Sequence, residues 1–173
     1  MSESLGEHTF ARQLAPLRAE PSPAAEQVTQ ALRGEPDPDW LRPLAAEPVQ
    51  HARTLLGTPY EWGGMTSAGI DCSGLVHMAF RACGDLVPRD ADQQEEAGER
   101  LPEADFRAGD LVTYGPPEGA DHIAFWLGGG RILHATGRDR VREVVEESEP
   151  PELRERRRAL VRLTPRGRPS PWR

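Results

Sequence analysis

The stretch DCSGLVHMAFRACG, residues 71–84, decides how this chain is organised. Cys72, Leu75, Val76, Ala79 and Cys83 recur at three- and four-residue spacing, the period of one helix face. Asp71 is placed to cap the start with its side chain, and Gly84 to close the end. The spacing therefore predicts a helix that opens on a cysteine. Unpaired N–H groups and the positive end of the macrodipole favour a thiolate at such a position. Asp71 acts against this, because a neighbouring carboxylate raises the pKa of a thiol. Position alone leaves Cys72 either a small core residue or a nucleophile, whereas Cys83 falls mid-helix on the packed face.

On the N-terminal side, PVQHARTLLG (48–57) predicts a shorter amphipathic helix. Pro48 suits the first helical position, Val49, Ala52, Leu55 and Leu56 form the apolar side, and Gly57 is the stop. A glycine-rich connection joins the two helices. On the C-terminal side a loop leads to GDLVTYG (109–115), DHIAFWLGGG (121–130) and GRILHAT (130–136), three strand-like runs punctuated by glycine. VREVVEE (141–147) and RALVRL (158–163) are further strand candidates. Helices first and an antiparallel sheet after give an α+β layout. Residues 1–47, rich in Pro, Ala and Glu, read as short extended pieces separated by turns. Residues 48–165 form the main domain, and 166–173 a loose tail.

Composition narrows the chemistry. A net charge of −7 argues against a nucleic-acid partner, and Arg154–Arg158, interleaved with Glu152 and Glu155, reads as a solvated face. No apolar run approaches the ~18 residues of a membrane span. The first residues lack the basic and then apolar segments of a secretory signal, so the expected location is the cytoplasm. The chain has no lysine, which excludes Schiff-base chemistry, and no asparagine, which excludes a Cys-His-Asn arrangement. On one helix Cys72 and Cys83 would stand roughly 16 Å apart, too far for a disulfide. No spacing typical of metal ligands occurs, and no cofactor is expected.

A nucleophile needs a base. His8 lies in the polar N-terminal stretch, and His51 sits beside the apolar side of the first helix. His77, five residues past Cys72, is roughly 140° around the helix and points away from the thiol. His122 and His134 remain, both in strand-like runs. His122, Ala124 and Trp126 share one face of their strand. If the turn at GGG (128–130) has three residues, Ala124 pairs with His134 and His122 becomes its diagonal neighbour, about 7–8 Å away. A strict two-residue turn would put the two imidazoles on opposite faces. A relay requires an odd loop or a bulge, and spacing alone does not choose.

The runs GTPYEWGG (57–64), DCSGLV (71–76), LVPRDADQQ (86–94), GDLVTYG (109–115) and HIAFWLGGGRILHAT (122–136), in that order, resemble the NlpC-type cysteine peptidases of bacterial cell-wall metabolism. The resemblance spans about Pro48 to Arg162. It implies a papain-like α+β fold, with the nucleophile on a helix N-terminus packed against an antiparallel sheet. It further implies that Cys72 is the nucleophile, His122 the base, and His134 the third polar position that orients the base. Tyr60 matches a tyrosine beside the thiol whose hydroxyl helps hold the oxyanion. The implied substrate is a murein stem peptide, cut between γ-D-glutamate and a diamino acid. In relatives with an SH3-like module the substrate has a free N-terminal L-Ala, whose amine is bound by the aspartate that Asp71 matches. Ser73 and Arg89 are candidates for the D-glutamate carboxylate, and Ala91 stands where some relatives carry serine. The segment APLRAEPSPAAEQVTQALRGE resembles the opening of an SH3-like module whose remainder is missing, so residues 1–47 are expected to pack on the core or to pair in a homodimer. The alternatives are an amidase or acyltransferase on the same fold, or a wall-binding or toxin-like protein with vestigial catalytic residues. The intact Cys72, His122 and His134 count against the last. In the absence of a signal, murein-peptide recycling is expected rather than remodelling of the wall.

Overall fold

The computed structural model describes residues 14–18, 27–32, 45 and 47–164. The chain divides into two compact units, Met1–Arg42 and Pro43–Arg173. In the first, β1 (Leu14–Arg18) pairs antiparallel with β2 (Gln27–Leu32). The rest of the expected SH3-like opening, and the tail from 166, lie outside the described residues. The change in composition lies at 47/48, whereas the division falls at 42/43. Ala45 already belongs to the second unit, its N–H bonded to the carbonyl of Ala82 at 3.1 Å.

The second unit opens with α1 (Pro48–Thr54). It is shorter than the apolar pattern suggested, because Leu55 and Leu56 donate three residues back and Gly57 leaves the helix at φ +79° to donate to Val144. A small hairpin, β3 (Met65–Thr66) and β4 (Gly69–Ile70), delivers the chain to α2 (Cys72–Ala82). Every residue of α2 is buried, the polar Ser73, His77 and Arg81 included. It stops at Ala82, so Cys83 is the half-buried capping residue rather than a packed mid-helix one. The N–H of Asp85 returns to Phe80 and that of Gly84, at φ +88°, to Arg81, a Schellman closure. Next comes α3 (Ala91–Ala97), in a segment the sequence suggested was loop. Its inward residues beyond Ala91 are Gln94 and Glu95, so no apolar stripe announces it.

After β5 (Glu99–Arg100) come β6 (Leu111–Tyr114), β7 (His122–Gly128), β8 (Arg131–Thr136) and β9 (Glu143–Ser148), then a single turn α4 (Pro151–Arg154) and β10 (Arg157–Arg162). They form an antiparallel sheet in the order β5-β10-β6-β7-β8-β9. On one face α2 packs through Phe80, stacked on Phe125 with centroids 6.4 Å apart. On the other, Val112, Tyr114, Ala124 and Ile132 gather with Phe106, Trp126, Leu153 and Leu160. Both faces of the centre are covered, which is why β6 is buried throughout.

The arginines around β10 correct the expectation of a solvated face. Arg157 donates to both oxygens of Glu149, which is only 2 % exposed, and Arg154 and the Tyr114 hydroxyl bind the same carboxylate. Arg158 spans to buried Glu95 and Arg162 to buried Asp110. Burial pushes the Glu149 and Glu95 carboxyls up, but hydrogen bonds, from Arg157, Arg154 and Tyr114 in one case and Arg158 and Thr113 in the other, outweigh it and leave both low. A carboxyl lowered in the fold contributes stability above its unfolded value, lost as pH falls through the folded one. These carboxylates are therefore expected to leave the unfolding temperature unchanged from neutral pH to about 5 and to make it fall steeply below about 4. That fall comes on top of a decline that begins at about 6.5, where histidines kept neutral by burial gain protons on unfolding. Glu149→Gln, less stable at pH 7, should show a shallower fall by calorimetry.

Candidate active site

Asp71 caps α2 in extended backbone conformation, and its carboxylate organises everything around the helix start. Oδ1 accepts the Gly74 N–H at 2.7 Å and the Ser73 hydroxyl at 3.4 Å. Oδ2 accepts the Gly63 N–H at 2.7 Å and Arg89 Nη2 at 2.8 Å. Arg89 also donates to Ser73 Oγ at 2.9 Å and to the Gly64 carbonyl at 3.3 Å. A carboxylate offers about four lone-pair sites, and four donors fill them. A substrate ammonium would reach Asp71, which is 6 % exposed, only by displacing one of these. The close seat of the 63–64 loop depends on Gly74, since a Cβ there would stand 2.3 Å from the Gly64 carbonyl oxygen. From behind, Gln94 of α3 donates to the carbonyls of Ser73 and Pro88.

Cys72 follows as the first residue of α2, a free thiol 5 % exposed. Burial pushes its pKa up to about 11, with help from the Asp71 charge, while the N–H groups of Ile123 and Ser73 and the charge of Arg89 pull the other way. The resting group is thus a thiol, and its sulfur lies against the main chain of β7 one residue past His122. Tyr60 stands alongside. Its N–H bonds to the Arg142 carbonyl, and its ring lies where a Cβ on Gly137 would come within 3.0 Å. Burial and then the charges of Cys72 and Asp71 raise its phenol to about 12, so the hydroxyl keeps its proton as a donor.

The second half of the site is built by the β7–β8 hairpin. Trp126 faces Ile132 and Gly128 faces Arg131, leaving Leu127 as an extra residue before a turn at Gly129 and Gly130. Gly128, Gly129 and Gly130 all have φ between +60° and +84°, the left-handed region where glycine carries no Cβ cost. This bulge supplies the odd count a relay requires. His122 Nε2 lies 2.7 Å from His134 Nδ1, the rings edge to face at 77°. Burial and then the proximity of His134 hold the half-buried His122 down at about 3, so it is neutral. His134, 1 % exposed, places Nε2 2.9 Å from Glu147 Oε1, and Arg138 Nη2 lies 2.9 and 2.7 Å from the two Glu147 oxygens.

Sequence reasoning did not find Glu147 and Arg138. The alternation in VREVVEE marks a strand, but nothing in it says which residue of β8 each glutamate meets. His77 is a buried core histidine with Nδ1 2.8 Å from the Val87 carbonyl, and burial holds it at about 4. Tyr60, Asp71, Cys72, Ser73 and Arg89 thus form one cluster at the start of α2, and His122 of β7 and His134 of β8 a second. They meet where the sulfur reaches the Ile123 N–H. Among the described residues no group of three or more His, Cys, Asp or Glu side chains is placed to hold a metal.

Residues 57–156 match the NlpC/P60 family. The chain belongs to that family. NlpC/P60 relatives include the γ-D-glutamyl-L-lysine dipeptidyl-peptidase of Bacillus subtilis (strain 168), 40 % identical over 94 residues, which cover 53 % of this chain and 32 % of that protein. The peptidoglycan hydrolase RipB of Mycobacterium tuberculosis has a solved structure that superposes with a TM-score of 0.58 at 32 % identity, over 67 % of this chain and 62 % of that one. RipD of the same organism, described as a non-catalytic NlpC/p60 domain protein adapted to peptidoglycan binding, superposes with a TM-score of 0.57 at 25 % identity, over 68 % of this chain and 95 % of that one. The chain spans about a fifth to two fifths of the length of curated relatives it matches. The fold is the papain-like α+β arrangement of these NlpC/P60 domains, with α2 laid on an antiparallel sheet.

Proposed function

We propose that the chain is a cysteine endopeptidase that hydrolyses the γ-D-glutamyl–diamino acid bond of murein stem peptides. The observation that carries this is the His122–His134 hydrogen bond, on the strand whose Ile123 N–H reaches the thiol at the N-terminus of α2. A protonated Cys72 and a neutral His122 define the chemistry. As Sγ attacks the amide carbonyl, its proton passes to His122, and the C–N bond breaks once His122 returns that proton to the leaving amine. The oxyanion forms against the Cys72 N–H and the Tyr60 hydroxyl. Water, deprotonated by His122, then cleaves the thioester and regenerates the thiol. His134 serves by accepting the His122 Nε2–H, which it does only as a neutral ring.

The B. subtilis relative, named for a γ-D-glutamyl-L-lysine bond, supports the bond class. Within that class the substrate is a free stem peptide beginning with L-Ala, as in cytoplasmic recycling. Arg89, already engaged with Asp71 and Ser73, contributes positive charge beside the site rather than a free carboxylate clamp. The test is mass spectrometry of the products from L-Ala-γ-D-Glu-diaminopimelate, its lysine analogue, N-acetylated forms of both, and intact peptidoglycan. The expected products are L-Ala-γ-D-Glu and the free diamino acid, from the unblocked peptides. Cleavage of blocked peptides or intact wall overturns the recycling assignment, and cleavage of none overturns the peptidase. Alkylation at neutral pH, read by peptide mapping, should distinguish Cys72 from Cys83; equal, slow labelling of both counts against an assisted thiol.

A further inference from the structure

The chain of hydrogen bonds continues past His134. Glu147 on β9 pairs with Ile132 and is therefore diagonal to His134, which pairs with Val145, on the same sheet face. His122, His134 and Glu147 thus come from three adjacent strands, and Arg138, just beyond β8, closes the row with two contacts to Glu147. We propose that Glu147, clamped by Arg138, is a positioning residue that fixes the tautomer of the histidine pair, so that His122 keeps a bare Nδ1 for the thiol proton. This deepens the peptidase reading and rests on it.

An ionised carboxylate only accepts hydrogen bonds. Glu147 is ionised, held at about 2 by the bond from His134 first and by Arg138 as well, against the effect of burial. His134 Nε2 must then donate. The neutral ring has a bare Nδ1, and at 2.7 Å that atom must accept the His122 Nε2–H. His122 is left with its lone pair on Nδ1, the form a general base needs. Without Glu147 the His134 proton could sit on either nitrogen, and Nδ1–H would force the His122 lone pair away from the thiol. Arg138 acts on the pair as well, because its charge helps to hold His122 down and so keeps the base neutral. Among the described residues, charged or titratable groups around the row include Tyr114 on β6, its ring 5.7 Å from that of His122, Cys72 on α2, Arg156 after α4 with its partner Asp121, and Glu152, 3.5 Å from Arg138.

The full chain labelled with 15N-histidine gives the direct test. Long-range 1H–15N spectra at pH 7 should show Nε2–H and bare Nδ1 on both His122 and His134. Glu147→Gln keeps an acceptor oxygen and should keep these tautomers and most of kcat. Glu147→Ala should mix the tautomers and lower kcat about 10²-fold, the low end of a general base's contribution, with KM within about twofold. Arg138→Met should move the acidic limb of kcat/KM, and of Cys72 alkylation, upward by about one pH unit or more. A wild-type spectrum with Nδ1–H on His134 overturns the proposal, as does Glu147→Ala with wild-type tautomers and kcat. If Glu147→Ala does not fold, the wild-type spectrum, Glu147→Gln and the Arg138→Met alkylation profile decide. None of the spectra needs a substrate, so an inactive wild type would sink the peptidase reading while the tautomers still answer this one.

Discussion

His122→Ala lowers kcat/KM for stem-peptide cleavage by about 10²- to 10⁴-fold, the span that a positioned general base contributes. The resting thiol sets the upper end. With Cys72 held at about 11, its thiolate fraction at pH 7 is on the order of 10⁻⁴, so nearly every turnover depends on transfer of the sulfur proton during attack. The loss should fall on kcat, because His122 acts on the proton and not on the bound peptide. It should shrink as pH rises toward 11, where the thiolate forms without help, giving a steep pH dependence in the variant that the wild type lacks. Stability should fall modestly, by about 1–3 kcal/mol, since His134 loses a buried partner. The measurement is kcat/KM from pH 6 to 10, with Cys72→Ala as the baseline. A variant within threefold of wild type at pH 7 would remove His122 from the mechanism.

Arg89→Met is expected to be the most damaging single change to the fold around the site. Arg89 is the cationic partner of buried Asp71 and also holds Ser73 Oγ and the Gly64 carbonyl. Methionine preserves much of the volume but leaves a buried carboxylate without its countercharge, which costs about 3–5 kcal/mol. For a domain of this size that is a fall in Tm of roughly 10–20 °C. The Gly63 and Gly74 N–H groups still bind Asp71 and set the outcome toward the lower end. The charge of Arg89 also pulls the Cys72 thiol down, so alkylation of Cys72 should slow in the variant at any fixed pH. Lysine is a poor rescue, because one ammonium cannot reproduce the planar fork that spans the two side chains. Unchanged Tm and unchanged labelling together would show that Asp71 is held by its main-chain donors alone.

What the sequence revealed follows from which signals are local. The helix at 72–82 carries its own apolar stripe, cap and closing glycine, and was readable to within a residue. The helix at 91–97 was not, because Gln94 and Glu95 are buried through hydrogen bonds to Ser73, Pro88, Arg100 and Arg158, none of them a periodic apolar neighbour. Arg157 and Arg158 looked solvated for the same reason. Arg158 finds its partner 63 positions away, whereas the nearby Glu152 and Glu155 drew attention. Glu147 was hidden by the connection between β8 and β9. Arg140 and Arg142 take positive φ there, a conformation nothing in GRDRVRE advertises, so the register that brings Glu147 to His134 is set by tertiary structure.

The extra residue at Leu127 carries a further consequence. Side chains along a strand alternate, so whether His122 and His134 face each other is a matter of odd or even count between them. Gly128, Gly129 and Gly130 have nothing within 4 Å of where a Cβ would stand, so this tip is shaped by backbone conformation and length, not by packing. Substitution scanning there would report only the modest strain of placing a side chain at positive φ. Loss or gain of one residue would reverse the parity of the hairpin and turn one imidazole to the far side of the sheet, with every catalytic side chain still present in the sequence. The site is thus far more exposed to single-residue insertions and deletions than to point changes, and a relative with a shorter tip can carry all the marks of an active enzyme and lack the relay.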